Sequence, residues 1–173
     1  NNDYYNTLSS DAKNMIGTTK YYLGGYNSNA SFTSDVMWQY ERKNEANRTG
    51  YYYRTNPIMQ NDANKKIAIM YASDYGYAAS KECTSTLFNY NDLNCKTTNN
   101  WLDKSVSTWL LSQNSTNPYR AFAVYTGGIV DNGGNSDISL NKYGVRPVLS
   151  LSSNVKISGG EGTSQKPYML SIS

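Results

Sequence analysis

Cys83 and Cys95 are the residues whose type and spacing most directly invite chemistry. They bracket a polar segment, residues 84–94, that reads as a loop. A disulfide there closes a ring of about thirteen residues and stabilises the fold by roughly 3 kcal/mol in the chain-entropy account. Two other readings stand beside it. A metal pair lacks the further Cys or His ligands it needs, and two unrelated buried thiols would have no joint role. The disulfide is favoured, and if it forms it implies an oxidising compartment.

Histidine is absent from all 173 residues. That removes Ser-His-Asp and Cys-His nucleophile activation, His-ligated zinc and haem, and the commonest general base near neutral pH. Carboxylate-pair chemistry survives in principle, but Asp35, Glu41, Asp74, Asp92, Glu161 and the other acidic residues lie singly among polar neighbours. They are read as solvated faces and helix caps. The expectation is a protein without catalysis and without a cofactor.

Bulk composition narrows the remaining classes. Hydrophobic residues make up 38% of the chain and charged residues 17%, so it can bury a core and is expected to fold. The net charge is only +3, and no Lys/Arg run exceeds Lys65-Lys66, which argues against a nucleic-acid partner. No apolar stretch approaches the ~18–20 residues of a membrane span. The chain opens on Asn1. That start reads as processed or truncated, so any membrane contact is expected only through a missing N-terminal segment.

The elements that must position these residues are legible from periodicity. Tyr4, Leu8, Ala12 and Met15/Ile16 predict an amphipathic helix over 3–16 that ends at Gly17. Thr18 to Leu23 add a short helical turn, broken by Gly24-Gly25. Ser34-Asp35 cap a second short helix that carries Val36, Met37, Trp38 and Tyr40. The pattern then turns to strands: Tyr51–Arg54, and the apolar run Ile67–Tyr71, read as a buried central strand. Ser73-Asp74 cap a helical turn. Trp101 and Trp109 are expected in or near the core, because a large ring buries much area.

The last third divides into short strands: Ala121–Tyr125, a turn at Gly127-Gly128, Ile129-Val130, a Gly/Asn turn at 131–135, and Gly144–Leu151 with Val145, Pro147, Leu149 and Leu151 on one face. Val155–Ile157 and Tyr168–Ile172 close the chain as a pair around Gly159–Gly162. Helices first and antiparallel strands later predict an α+β fold. Arg146, set in an apolar strand, is read as a buried structural residue, not an anion clamp.

Several of these segments carry a resemblance. Lys66–Ala78, Trp109–Ser112, Ala121–Val124, Gly128–Val130, Tyr143–Leu151 and the tail Gly159–Leu170 resemble a family of uncharacterised surface and pilin-like proteins of low-GC Gram-positive bacteria. The Trp-Leu-x-Ser and Gly-Val-Arg-Pro arrangement is more distantly similar to the C-type-lectin-like fold of formylglycine-generating enzymes and retroelement variable proteins. That likeness implies a loop-rich α+β domain whose ligand surface precedes the Gly-Val-Arg-Pro strand. Catalysis does not carry over, because neither Cys83 nor Cys95 lies near that end. The calcium-lectin tripeptides are missing too, and the Gly/Asn stretch at 131–135 reads as a plain turn.

The chain holds 17 Tyr beside abundant Asn and Ser, a combination that suits adaptable recognition surfaces and that an AT-rich genome also produces. Recognition is placed in the late loops, since loops on a rigid scaffold are where binding sits. The ligand-binding candidates are Gln113, Asn114, Asn117, Tyr119, Tyr125, Asp131, Asn132 and Asn135, with Trp101, Trp109 and Arg146 as structural supports. The expected organisation is an N-terminal helical segment, 1–26, followed by a C-type-lectin-like surface domain, 27–173. The expected function is that of a non-enzymatic, extracellular adhesin or pilin-type module at the cell surface. Its partner would be a protein or glycan, or neighbouring subunits if the chain polymerises as a structural subunit.

Overall fold

The computed structural model of the chain describes residues 2–26, 31, 33–42, 58–60, 66–96, 100–102, 106–114, 117, 119–132, 138 and 140–173. Along them run α1 (Asn2–Thr7), α2 (Ser10–Met15), β1 (Lys20–Tyr22), β2 (Gly25–Tyr26), α3 (Ser34–Arg42), β3 (Ile58–Gln60), β4 (Ala68–Ile69), α4 (Ala72–Tyr77), a 3-10 turn (Leu87–Asn89), β5 (Thr108–Asn114), β6 (Ala121–Val124), β7 (Val130–Asp131), β8 (Pro147–Val148), β9 (Val155–Gly159) and β10 (Met169–Ile172). The fold is α+β. The chain gathers into two compact units, one of Asn1–Tyr21, Gln60–Ala68 and Val148–Ser173, the other of Tyr22–Met59 and Ile69–Pro147.

In the first unit the helix predicted over 3–16 is two short helices. Ser9 makes the break: its hydroxyl accepts from Ala12 N at 3.1 Å, an N-cap that starts α2 afresh. Ile16 then turns extended and bridges Leu151, while Gly17 N donates to Ser150 O at 2.9 Å. The helical turn expected over 18–23 is instead the strand β1, where neighbouring tyrosines favour extended backbone. The closing hairpin forms as predicted, with Ile157 opposite Leu170 and Val155 opposite Ile172.

The second unit is built on a four-stranded sheet in the order β2-β5-β6-β7, parallel between β2 and β5 and antiparallel beyond. Its core gathers Met37, Met70, Tyr75, Leu87, Leu110, Phe122 and Val130. The strand at its heart is β5, not the predicted 67–71 run. Only Ala68–Ile69 are strand there, and after Met70, whose carbonyl accepts from Leu111 N at 2.8 Å, the chain turns into α4. Asp74 secures that turn by accepting from Tyr71 N at 3.0 Å.

Two further expectations are corrected. Trp101 is 71% exposed, not in the core, because it sits on a turn that Asn100 ties down from below. Arg146 is half-buried, and Val145, Pro147, Leu149 and Leu151 beside it are exposed, since only Pro147–Val148 of that stretch is strand. The predicted strand Tyr51–Arg54 lies outside the described residues. No helix among the described residues is long and apolar enough to cross a membrane.

Candidate functional site

The sheet brings most of the predicted loop residues to one end. Because β2 runs parallel to β5 while β6 and β7 run alternately against it, Tyr26, Asn114, Ala121 and Asn132 all fall at that end. Asn114 is buried and its side-chain oxygen accepts from Asn117 N at 2.8 Å. Asn117 accepts in turn from Tyr119 N at 2.9 Å, and Tyr119 O accepts from Ile138 N at 2.9 Å. Asn114 and Asn117 thus tie the backbone at 117 and 119, and Tyr119, 65% exposed, is joined through its carbonyl to exposed Ile138.

Asn132, also buried, donates its side-chain amide to Tyr26 O at 3.1 Å. That bond links β2 with the residue after β7, the two outer strands, so this end of the sheet is curled and tied. Asn132 N also bonds the Asp131 carboxylate at 2.7 Å. Of the candidates, Asn114 and Asn132 thus shape the backbone, and Gln113, Asn117, Tyr119 and Asp131 are the partly or fully exposed groups around them. Asn135 lies outside the described residues.

Tyr125 is at the opposite end. It follows β6, its N–H bonds Ile129 O across the Gly127-Gly128 turn, and its ring meets Tyr143 edge-on at 5.9 Å. Tyr143 also packs on Trp109 at 4.6 Å. Trp109 is half-buried there, and Tyr125 belongs with it in an aromatic cluster.

The carboxylates were read as solvated, and Glu41 is not. It is 2% exposed, held on the last turn of α3. Its Oε1 accepts from Ser112 Oγ at 2.5 Å and from Ser73 N at 3.1 Å. Its Oε2 accepts from the Ser73 hydroxyl and from Arg42 Nη1 at 2.9 Å. Arg42 reaches on to Asp74 Oδ1 at 2.7 Å and lies over the Tyr71 ring at 3.8 Å. Burial pushes the Glu41 carboxyl up to about 7, against the pull of Ser112, Ser73 and Arg42. A serine beside a carboxylate of that pKa has the ingredients of a nucleophile and base. Ser73, Ser112 and Glu41 are closed to solvent, and the cluster joins α3, α4 and β5. Sequence offered one faint signal, a Glu-Arg pair ending an amphipathic helix, and nothing that named its partners.

Cys83 and Cys95 form the disulfide, with their Cα atoms 4.8 Å apart. The bonded segment walls a cleft of about 300 Å³, as apolar as it is polar, whose floor is the start of α3 and the end of α4. Asp35 and Tyr77 face each other there, the phenol donating to the carboxylate at 2.7 Å. Burial and that bond raise the Tyr77 hydroxyl to about 12. Sequence reasoning missed this cleft, because its groups come from three separated segments.

Among the described residues no three acidic or cysteine side chains gather as a metal site. No protein-family profile, curated protein or solved structure matches this chain.

Proposed function

We propose that the chain is a non-enzymatic recognition module of the extracellular bacterial surface, of adhesin or pilin type, and that it docks a protein partner through the loop end of its sheet. The observation that carries this reading is the amide clamp. Asn114 and Asn117 tie down the backbone amides of Asn117 and Tyr119, while Tyr119, a large ring that costs little entropy to immobilise, is offered to solvent. The disulfide supports an oxidising location. The lack of histidine, with the Glu41 cluster closed to solvent, supports a role without catalysis.

Probing arrays of host proteins and glycans with the labelled chain tests the reading. A protein target is expected, with binding lost in Tyr119→Ala while the melting temperature stays put. Turnover by the pure chain, or capture that Tyr119→Ala leaves intact, counts against it.

A second reading, a structural subunit that self-assembles, is favoured by one observation. The β9–β10 hairpin exposes Ile157, Met169, Leu170 and Ile172, apolar side chains on a two-stranded ribbon with open edges. Light scattering that rises with protein concentration, and falls in Ile157→Lys, would move the assignment there.

A further inference from the structure

We infer that the cleft beside the disulfide is a second binding site, for a neutral carbohydrate. It shares no residue with the loop end of the sheet and does not depend on the function proposed for that end.

The chemistry of the lining selects the ligand. Thr33, Ser34, Ser80, Thr84 and Ser85 line the cleft with one carboxylate, Asp35, the Ser34 and Ser80 hydroxyls being bonded to Tyr90 and to Asn94 O. An apolar ligand would strip water from those hydroxyls without replacing its hydrogen bonds. Asp35 opposes an anion, and the two charged residues of the lining, Asp35 and Lys81, sum to zero, so the cleft selects no net charge. A neutral polyol satisfies all of them, because each sugar hydroxyl both donates and accepts. Tyr77 occupies Asp35 Oδ1 at 2.7 Å and so leaves the second carboxylate oxygen to take sugar hydroxyls, the stronger, charge-assisted kind of bond. The half-exposed Tyr77 ring gives the apolar face of a sugar a surface to lie on. The volume, about 300 Å³, is at the small end of ligand pockets, the size for a mono- or disaccharide unit.

The cleft is also built before any ligand arrives. Ser34 and Tyr90 share a hydrogen bond at 3.2 Å, and Tyr90 donates to Gly76 O at 3.2 Å, which locks the two helices together beneath it. A Cβ at Gly76 would run into the Ser34 hydroxyl and Leu87, so glycine permits this close approach without displacing either side chain. The disulfide holds the opposite wall. Preorganised hydroxyls and a fixed ring keep the entropy cost of binding low.

The test is a titration of 15N-labelled protein, followed by NMR, with methyl glycosides of glucose, galactose, mannose and N-acetylglucosamine, and with maltose and chitobiose, into the millimolar range. Saturable shifts are expected at the amides of 33–35, 76–85 and 90 for at least one of them. Asp35→Asn and Tyr77→Ala should each weaken that binding about tenfold, the loss of one charged hydrogen bond or one stacking surface. Tyr119→Ala should leave it unchanged, which separates this site from the loop end. The spectrum of each variant reports its own folding. Absence of saturable shifts with every sugar, equal binding by Asp35→Asn, or tighter binding of methylammonium than of any sugar would overturn the inference.

Discussion

The Ser112 hydroxyl in the middle of β5 donates to the Glu41 carboxylate at the end of α3 at 2.5 Å, across 71 residues of sequence. The same hydroxyl accepts from Ala72 N at 3.0 Å, the first residue of α4. One small side chain therefore joins the central strand to both helices of the unit. A buried polar network of this kind gains little over an apolar core when complete and costs a great deal when broken.

Ser112→Ala is expected to destabilise by about 1–3 kcal/mol, because it leaves the Ala72 amide and one Glu41 oxygen short of a partner. Glu41→Ala should cost more, about 3–5 kcal/mol, since Ser73 and Ser112 lose their acceptor and Arg42 loses one of its carboxylate partners, keeping Asp74. Urea unfolding of the two variants, with the slope unchanged from wild type, reads both losses. A Glu41→Ala protein as stable as wild type would show that the network is ornamental.

The same carboxyl sets a pH dependence. Its pKa rises from 4.5 to about 7 on folding. The folded state thus holds the proton more tightly, and its contribution to stability is complete below pH 4.5. As pH climbs, the unfolded chain releases this proton first, so stability falls between about 4.5 and 7 and levels off above. The span is on the order of 3 kcal/mol. Ser112→Ala removes a donor that lowers the pKa, so it should extend the decline to higher pH. Glu41→Gln should flatten it. Urea midpoints measured from pH 4 to 8 decide the matter, and a midpoint that rises over this interval contradicts the sign.

The network also shows why parts of the fold were legible in the sequence and parts were not. α3, β6 and the closing hairpin announce themselves, because their signals are local: a Ser-Asp cap before an apolar patch, a run of small apolar residues, two strands around Gly159–Gly162. β5 hides, because its buried face is Thr108, Leu110, Ser112 and Asn114. Three of those four residues are polar, Ser112 reaching Glu41 and Asn114 bonding the Asn117 amide. Hydrophobic alternation cannot register such a strand. Glu41 fails for the matching reason, since its partners lie far along the chain. Six of the loop candidates were found at one end of the sheet, but their roles were not readable. A buried Asn that shapes a turn and an exposed Asn that meets a ligand look alike until the register of β5, β6 and β7 is known. The cleft was invisible altogether, assembled from 33–35, 76–81 and 83–90.

The disulfide should contribute about 3 kcal/mol, the amount expected for so short a loop. Its sequence separation is 12 residues, and Cys95 is fully buried beneath it. Cys83→Ser with Cys95→Ser is expected to lower the urea midpoint and to quicken proteolysis within 84–94, leaving the sheet's amide protection in place. Loss of protection in β5 and β6 as well would mean that the bond supports the whole unit.

Two glycines make opposite predictions about tolerance. A Cβ on Gly25 would fall 1.7 Å from the carbonyl oxygen of Gln113, backbone of the adjoining strand, whereas a Cβ on Gly76 would meet side chains, Ser34 Oγ at 2.0 Å and Leu87 Cδ2 at 2.7 Å. The Ser34 hydroxyl and the Leu87 methyl can rotate away and the Ser34 Cβ at 2.9 Å needs only a small shift, whereas a paired strand cannot give. Gly76→Ala should therefore cost about 1–3 kcal/mol, the usual toll of overpacking, and should be partly rescued by Ser34→Ala, which vacates the space. Gly25→Ala should cost more than this and find no single rescuing partner, because β2 must part from β5 to admit the methyl group. Hydrogen exchange gives the discriminating view. In Gly25→Ala the amides of residues 25–26 and 113–114 should exchange freely, and in Gly76→Ala the disturbance should stay at the α3–α4 contact. Equal stabilities for the two variants would contradict this account of how β2 meets β5.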